Sequence, residues 1–402
     1  NISVPSVILF SMILFIIFAL KSGLVPLHFW VPLVYQAAPS PVSALLSGVV
    51  KKVGLYAMIR IFFTVFISNE STLVGEFSIL TIFGISLLLL SSASMIFSAS
   101  ERQRAGGLLA PRIFSTGEII YGAKSPGVYA RVDSYEDALA HVRRIKAQGG
   151  ISVKNYNQPR REQRQQVVAA ARAENMLVVA EGGSLFGMDM NLVADGNSTL
   201  EHNIPVDVMY DDVLQMFGGS DTNYTPTLVV TYGGLAADPY WRQATDVFDN
   251  PLLVHTPPKM LLAETGRRIK APEWAFVDDN SAREAKKLAD RGVKVSIGAH
   301  GQQAGIAAHW ELWSFVRGGM TPVEALRAGT IESAKSLGMD RDVGSLEVGK
   351  LADLVILTGD PTQDIRNSDD IAQVMLGGRL YDARTMNETI TGDDRRMPYW
   401  WE

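Results

Sequence analysis

The hydrophobic pattern changes abruptly near residue 100. Before that point, uncharged apolar runs are separated by only six charged side chains, with no aspartate among them. A hydrocarbon core of about 30 Å requires about 20 apolar residues in a helix. Residues 2–20, 41–66 and 77–100 meet that requirement and predict three transmembrane helices. A signal peptide is the alternative for the first span, but no basic segment precedes it and no clear cleavage site follows.

After residue 105, short strand-like runs alternate with amphipathic segments, which predicts a parallel β/α architecture. The predicted helices show apolar residues at helical spacing and charged outer faces. They cover residues 135–147, 160–174, 207–217 and 281–291. The predicted strands cover residues 108–115, 150–156, 176–181, 198–203, 225–231 and 293–300.

Charge divides the chain at the same place. The whole sequence has a net charge of −5 and its first hundred residues contribute +2, which leaves −7 on the remainder. That acidic balance argues against a nucleic-acid partner. The absence of cysteine excludes disulfides and suits a cytoplasmic setting. We therefore expect a transmembrane fragment at residues 1–100, a junction at 101–107, an α/β barrel at 108–338 and a β-sandwich segment with a tail at 339–402. Because the chain starts at Asn1, we also expect further sequence upstream.

Three lysines lie in or beside the predicted membrane helices. A charge at the centre of such a helix costs about 2.5–3.5 kcal/mol on insertion scales, so each requires an explanation. Lys21, near a helix end, can extend to the interface by snorkelling. Lys51 and Lys52 lie within a predicted span, where that explanation is weaker.

The motifs around these lysines resemble the proton-channel subunits of NADH:quinone oxidoreductase and of multisubunit sodium/proton antiporters. The carrying stretches are Lys21-Ser-Gly-Leu-Val-Pro-Leu-His28-Phe-Trp-Val-Pro, residues 38–44, and Lys52-Val-Gly-Leu-Tyr. The resemblance implies that Lys21 and Lys52 are proton-relay lysines and that His28 lies on the same path. It also implies more than ten helices, whereas this tract supplies three, so we do not expect proton translocation by the fragment alone.

Four predicted strands of the second part end near a possible metal ligand. These residues are Lys154, Glu181, His202 and His300. In a β/α barrel the chemistry lies at the carboxyl ends of the strands. A single histidine there is commonly structural and a single lysine is commonly solvated. Four such residues in near-successive strands indicate one shared site.

Residues 105–402 resemble the C-terminal portion of an amidohydrolase-superfamily hydrolase of the imidazolonepropionase and prolidase-like branch. The carrying stretches are Ile151-Ser-Val-Lys154-Asn-Tyr, Leu200-Glu-His202, residues 321–330 and the run Val343-Gly-Ser-Leu-Glu-Val-Gly-Lys-Leu-Ala-Asp353. The resemblance implies a (β/α)8 barrel of the TIM type beside a small β-sandwich. It places the last run in that sandwich, away from the chemistry.

The resemblance also implies one or two divalent metals, most readily zinc, that activate a water molecule. Lys154 matches a lysine whose carbamate bridges metals, and His202 matches a histidine ligand. Glu181 stands where many relatives have histidine, and His300 where most have the aspartate that also activates the water. Both residue types bind divalent metals, so we expect a metal site with His300 as the candidate catalytic base.

The sequence also departs from that family. A His-x-His metal-binding pair belongs to its first barrel strand, and the 402 residues contain no such pair. Counting strands back from His300 as the eighth makes the one at 108–115 the third, so strands one and two are missing. An incomplete barrel exposes strand edges, which predicts aggregation or dependence on a partner chain. Residues 232–274, with His255, are expected to be an irregular lid or a surface excursion.

Three functional hypotheses remain open. The first is a metal-dependent hydrolase of carbon–nitrogen bonds in cyclic amides or small peptides, weakened by the lost ligands. The second is a fragment of a proton- or cation-translocating subunit. The third is a chimera in which neither part is active. In each case the apolar helices predict a membrane location through residues 1–100, with the soluble part on the cytoplasmic side.

Overall fold

The computed structural model describes Ile17 and residues 92–121, 130–156, 158, 160–258, 261, 270–301, 303–392 and 395–399. The chain divides into two compact units, Asn1–Glu101 and Arg102–Glu402. Lys21, His28 and Lys52 lie outside the described residues, as do the predicted membrane spans apart from Ile17 and residues 92–100. Within the described ranges, no helix has both the length and the apolar character needed to cross a bilayer.

Helix α1, Ser92–Arg104, runs through much of the predicted junction. The chain then turns at Gly106, whose φ of 75° suits glycine. The predicted strand at 108–115 is wrong, because those residues form no regular structure. Pro111 within that stretch lacks the N–H that a strand ladder needs. The first strand, β1, instead lies at Ile120–Tyr121.

Five parallel strands form the main sheet, in the order β1 to β5 along both the chain and the sheet. Helices alternate with them, and the four predicted helices are all present within a few residues of their expected ends. The strands are β2 Ser152–Tyr156, β3 Leu177–Glu181, β4 Thr199–Glu201 and β5 Asn223–Thr225. One helix follows each of β1 to β4, in the order α2 Tyr135–Ala147, α3 Arg161–Ala173, α4 Phe186–Ala194 and α5 Asp211–Gly218. Two helices follow β5, namely α6 Ala237–Ala244 and α7 Asp278–Asp290.

Local sequence explains where these helices begin and which side they bury. At α2, Ser134 and Asp137 form a reciprocal capping box that satisfies two of the free N–H groups of the first turn. Ala138, Val142 and Ile145 follow at helical spacing and are fully buried. Their burial fixes which face of α2 packs on the sheet.

The predicted strand at 225–231 is shorter and earlier than expected. After β5 ends at Thr225, the chain forms a 3-10 turn at Leu228–Val230. The Glu311 carboxylate accepts hydrogen bonds from the N–H groups of Leu228 at 2.8 Å and Val229 at 3.1 Å, which stabilises this turn. Beyond β5, Val295 pairs in parallel with Tyr224 through a single bridge and takes the place of the predicted strand at 293–300.

The predicted irregular insertion at 232–274 is partly helical. In α6, Trp241 is buried, its ring lies 5.2 Å from that of Trp313, and its Nε1 donates to Ser314 at 2.9 Å. His255 Nε2 lies 2.6 Å from the carbonyl oxygen of Arg384. Helix α6 therefore packs against the core, because Trp241 is buried there.

Helices α8 Ala307–Arg317, α9 Pro322–Ala328 and α10 Ile331–Ser336 complete the helical part. A separate antiparallel sheet follows, made of β6 Leu354–Leu357, β7 Ile371–Leu376 and β8 Arg379–Asp382. Asp353 accepts a hydrogen bond from Gly377 N at 2.7 Å and pairs with Arg112. The conspicuous run ending at Asp353 therefore has a structural role at this sheet.

Candidate metal centre

The two faces of the parallel sheet have opposite character. Successive residues of a strand point to opposite faces, so alternate residues share one. The register sets Glu181 opposite Glu201, and Glu201 opposite Thr225. We call the face that also carries Lys154 and Thr199 the polar face. The other face, carrying Val153, Val178, Ala180, Leu200 and Tyr224, is buried beneath helices and is called the helix-covered face.

Three of the four predicted ligands touch one another on the polar face. Lys154 Nζ forms an ion pair with Glu181, whose other carboxylate oxygen lies 2.8 Å from His202 Nε2. Burial raises the pKa of Glu181, but hydrogen bonds from His202 and Lys154 outweigh it and lower that pKa to about 2. Glu181 is therefore an anion held between two cationic or hydrogen-bonding partners.

His300 lies beside this group, with its ring 5.1 Å from the ring of His202. Both histidines have left-handed backbones, at φ 72° for His202 and 50° for His300. Such a conformation costs about 1–3 kcal/mol in a residue other than glycine and is concentrated at functional sites. The turns that follow β4 and Val295 thus bring the two imidazoles together.

Aromatic rings surround the charged group. The Tyr156 ring centre lies 5.8 Å from Lys154 Nζ, and the Tyr121 ring packs edge-on against Tyr156 at 4.9 Å. On the other side, the Tyr232 ring lies 5.6 Å from that of His202. These rings offer an apolar surface next to the charged group.

Two carboxyl groups that the sequence pattern does not single out, Glu201 and Asp189, interact electrostatically with His202. Glu201 accepts a hydrogen bond from Thr199 at 2.6 Å, and burial raises its pKa. Asp189, on α4, is 1% exposed and accepts a hydrogen bond from Gly183 N at 2.9 Å. Burial raises the pKa of Asp189 to about 7. The position of Glu201 beside His202 was a usable signal, but nothing in the helical pattern distinguishes Asp189.

The donor types fit a divalent metal, because carboxylate and imidazole groups both bind such ions. His202 Nδ1 is buried and lacks a hydrogen-bond partner, so this ring has unused bonding capacity. Over the described ranges, however, no three histidine, aspartate or glutamate side chains lie close enough together to hold an ion. Glu181 is instead engaged by Lys154, and binding a metal requires that pair to open.

Parallel β/α architecture with charged groups at the carboxyl ends of the strands is typical of β/α-barrel proteins, and sequence comparison narrows this class to a family. The amidohydrolase family profile matches residues 130–381, well over half of the chain. The chain belongs to the amidohydrolase family. Residues 1–98 match a second profile, that of the NADH:quinone oxidoreductase/Mrp antiporter transmembrane region. The predicted two-part organisation of the sequence is thereby confirmed.

Curated relatives match short stretches of the chain. A Na(+)/H(+) antiporter protein of Bacillus subtilis is 41% identical over 61 residues, which is 15% of this chain and 12% of that protein. The imidazolonepropionase of Symbiobacterium thermophilum is 62% identical over 40 residues, 10% of this chain and 9% of that protein. That of Geobacillus kaustophilus is 38% identical over 89 residues, 21% of each. The chain thus spans about a fifth or less of each.

Solved structures match over a longer range and at lower identity. A Xaa-Pro dipeptidase with bound methionine is 21% identical with a TM-score of 0.54, covering 73% of both chains. Phenylurea hydrolase B is 20% identical with a TM-score of 0.54, covering 72% of both. These structures establish the amidohydrolase fold of the C-terminal part and, at that identity, only the fold.

Proposed function

We propose that the C-terminal part is a metal-dependent hydrolase of carbon–nitrogen bonds in cyclic amides or small peptides. The observation that carries this proposal is the contact of Lys154, Glu181 and His202 on the polar face, beside His300. Family membership supports a hydrolase. The matched imidazolonepropionases and Xaa-Pro dipeptidase support the class of bond.

The metal would be held by Glu181, His202, His300 and a carbamate on Lys154, with zinc the first choice. Carbamylation replaces the positive charge of Lys154 with a negative one, so its attraction to Glu181 becomes repulsion. A divalent cation between the two groups would restore the balance. When bound, such an ion lowers the pKa of a coordinated water and polarises the scissile carbonyl.

His300 is the candidate base, because imidazole accepts a proton near neutral pH. It would have to bind either the metal or the proton, which predicts slow turnover. The missing His-x-His pair removes two further ligands, so we propose weak metal affinity and low activity. Tyr156 and Tyr232 would hold the organic part of the substrate and exclude water from the polar face.

Metal content and hydrolysis test this proposal. We would measure bound zinc, manganese and cobalt in the full chain, and hydrolysis of Xaa-Pro dipeptides and imidazolonepropionate. Lys154→Ala should lose metal and activity, whereas Lys146→Ala, at a lysine that is 48% exposed, should retain both. If the wild-type protein binds none of these metals, or Lys154→Ala retains its metal, the proposal is wrong.

A second candidate follows from the antiporter profile over residues 1–98. We propose that this part associates with a lipid bilayer and that the C-terminal part lies on the cytoplasmic side. If it also conducts protons, Lys52→Ala should reduce proton flux into vesicles that contain the full chain, and Lys51→Ala should reduce it less. Equal flux in all three proteins would exclude conduction through Lys52.

Inactivity of both parts is the third candidate. It is favoured by the absence of a His-x-His pair from the sequence and by the small number of transmembrane helices that the sequence predicts for the N-terminal tract. Negative metal, hydrolysis and flux measurements on folded protein would support it. Any one positive result would exclude it.

A further inference from the structure

Glu311 is a buried carboxyl group that the proposed chemistry does not use. It belongs to helix α8 and is 0% exposed. Its Oε1 accepts a hydrogen bond from Leu228 N at 2.8 Å, and its Oε2 accepts one from Val229 N at 3.1 Å. The N–H group of Gly298 donates to the same carboxyl group. Because both oxygens are engaged by main-chain donors, this side chain connects a helix to the backbone around it.

The three donors come from two turns at the carboxyl ends of neighbouring strands. Two of them lie just after β5, and Gly298 lies just after the bridge that Val295 makes to β5. A Cβ added at Gly298 would collide with Thr227 Oγ1 and lie 3.0 Å from Thr227 Cβ. The two turns are therefore in direct contact, and the Glu311 carboxyl group joins them.

Each turn leads to one of the two neighbouring histidines. His300 comes two residues after Gly298. The N–H group of His202 donates to the carbonyl oxygen of Thr225, where the other turn begins, at 2.8 Å. His300, His202 and Thr227 all have left-handed backbones, at φ 50°, 72° and 52°. Such conformations cost free energy and persist only where surrounding contacts hold them, so these turns require an anchor.

We propose that Glu311 is a positioning residue for His300 and His202. By holding both turns through their N–H groups, its carboxyl group maintains the 5.1 Å separation of the two imidazole rings. It acts through the main chain of the turns. The consequence for turnover rests on the proposed function, whereas the placement of the rings does not.

Ring NMR of 13C-labelled histidines in the full, metal-free chain tests the placement. Glu311→Gln keeps the shape of the side chain, but its NH2 group cannot accept, so at least one anchoring contact is lost. The ring signals of His300 and His202, assigned by their loss in His300→Gln and His202→Gln, should shift more than those of His309. His309 lies on the same helix as Glu311, with its Nδ1 3.1 Å from Ser368 Oγ, so it reports displacement of that helix.

Glu284→Gln is the matched control. Glu284 is also a buried carboxyl group on a helix, and its Oε2 accepts a hydrogen bond from Met209 N at 2.7 Å. Met209 precedes α5 and belongs to neither turn. The control should leave the ring signals of His300 and His202 unshifted. Equal shifts in the two variants, or a shift of His309 as large as that of His300, would overturn the proposal.

Amide hydrogen exchange of the wild-type protein provides the test if Glu311→Gln does not fold. The N–H groups of Leu228, Val229 and Gly298 should exchange slowly and at similar rates, because one carboxyl group protects all three. That result would support the proposal. Exchange of the Gly298 amide at the rate of an unprotected amide would overturn it.

Kinetics separate this inference from the proposed function. If the chain hydrolyses Xaa-Pro dipeptides, Glu311→Gln should lower kcat by about 10- to 100-fold, because a misplacement of about 1 Å can cost about 100-fold in rate. The KM should change less than kcat, and an unchanged kcat would overturn the proposal. If the wild-type protein hydrolyses no dipeptide, the proposed function fails, and the histidine ring signals still decide the role of Glu311.

Discussion

The helix-covered face and the polar face of the main sheet belong to the same strands, but they differ in polarity and in the groups that their side chains contact. Leu200, Ala180 and Tyr224 on the first are buried in the large apolar core beneath the helices. Lys154, Glu181 and Glu201 on the second are charged or ionisable groups paired with one another or with threonines. Adjacent residues of one strand therefore belong to different parts of the molecule, one to the apolar core and the next to the candidate site.

Because the two faces differ in this way, we expect the apolar core to stay folded when residues of the polar face are substituted. Apolar burial contributes roughly 25 cal/mol per Å² and does not depend on the identity of the polar residues opposite. The interior of a β/α barrel is commonly filled by branched aliphatic side chains, but here the corresponding positions are polar. A substitution at Glu181 or His300 is therefore expected to alter the candidate site while leaving the core intact.

The largest expected effect lies in the core between helix α5 and the helix-covered face. Phe217→Ala removes a fully buried ring that packs 5.7 Å from Tyr224. We expect the free energy of unfolding to fall by about 3–5 kcal/mol through lost burial and a cavity. Urea unfolding measures it, with Tyr210→Ala, at a residue that is 73% exposed, as the control. If metal content per folded molecule also fell, the two faces would not be independent.

Glu181→Gln is the matching change on the polar face. It leaves Lys154 without its counter-ion, and we expect a loss of about 1–3 kcal/mol. Because the pKa of Glu181 is lowered to about 2 in the folded state, its stabilising contribution is present above about pH 4.5 and is lost as the pH falls to 2. Thermal unfolding across that range should be less acid-sensitive in the variant. An unchanged acid profile would contradict the pair.

A smaller effect is expected at Glu311. This residue is fully buried, and its carboxyl group accepts hydrogen bonds from backbone N–H groups. Burial raises its pKa to about 8 despite the hydrogen bonds from Leu228, Val229 and Gly298. Folding therefore favours its protonated form, and the stability due to this group declines as the pH rises from about 4.5 to 8. Glu311→Gln cannot ionise, but its NH2 group would face one of the two N–H groups that now donate to the carboxyl oxygens. The variant should therefore be less stable than wild type at pH 5 by on the order of 1 kcal/mol, and this deficit should shrink as the pH rises to 8. Thermal unfolding at pH 5 and pH 8 checks this, and a parallel decline in both proteins would refute it.

The smallest effect is expected at the surface. Arg283 pairs with Asp279 at 2.9 Å, one turn earlier on α7, and is half exposed. Arg283→Ala should cost about 0.3–0.5 kcal/mol, because solvent screens such a pair. The loss should disappear in 1 M salt. A loss above 1 kcal/mol would mean that surface pairs contribute to this fold as strongly as the polar face does.

Much of the fold was predictable where the local pattern was strong. The helix at Tyr135–Ala147 was predicted to the residue, because its capping box and apolar spacing agree. Strands β2 and β3 also lie within two residues of where they were expected. Only β3 carries an apolar run, because Lys154 and Asn155 interrupt β2. The strand at 108–115 was wrong, because its apolar letters include Pro111 and no strand ladder forms there. The segment at 232–274 was misjudged because Trp241 is buried by residues more than 70 positions away.

Composition and short motifs fixed the division near residue 100, the resemblance of each part to a known family, and the strands that carry Lys154 and Glu181. His202 and His300 lie instead in the turns beyond β4 and Val295. Only the tertiary structure decided that Lys154 and Glu181 form an ion pair, that the rings of His202 and His300 lie together, and that Asp189 is buried close to them. Those outcomes depend on strand register and on the turns after each strand, which bring together residues far apart in the chain.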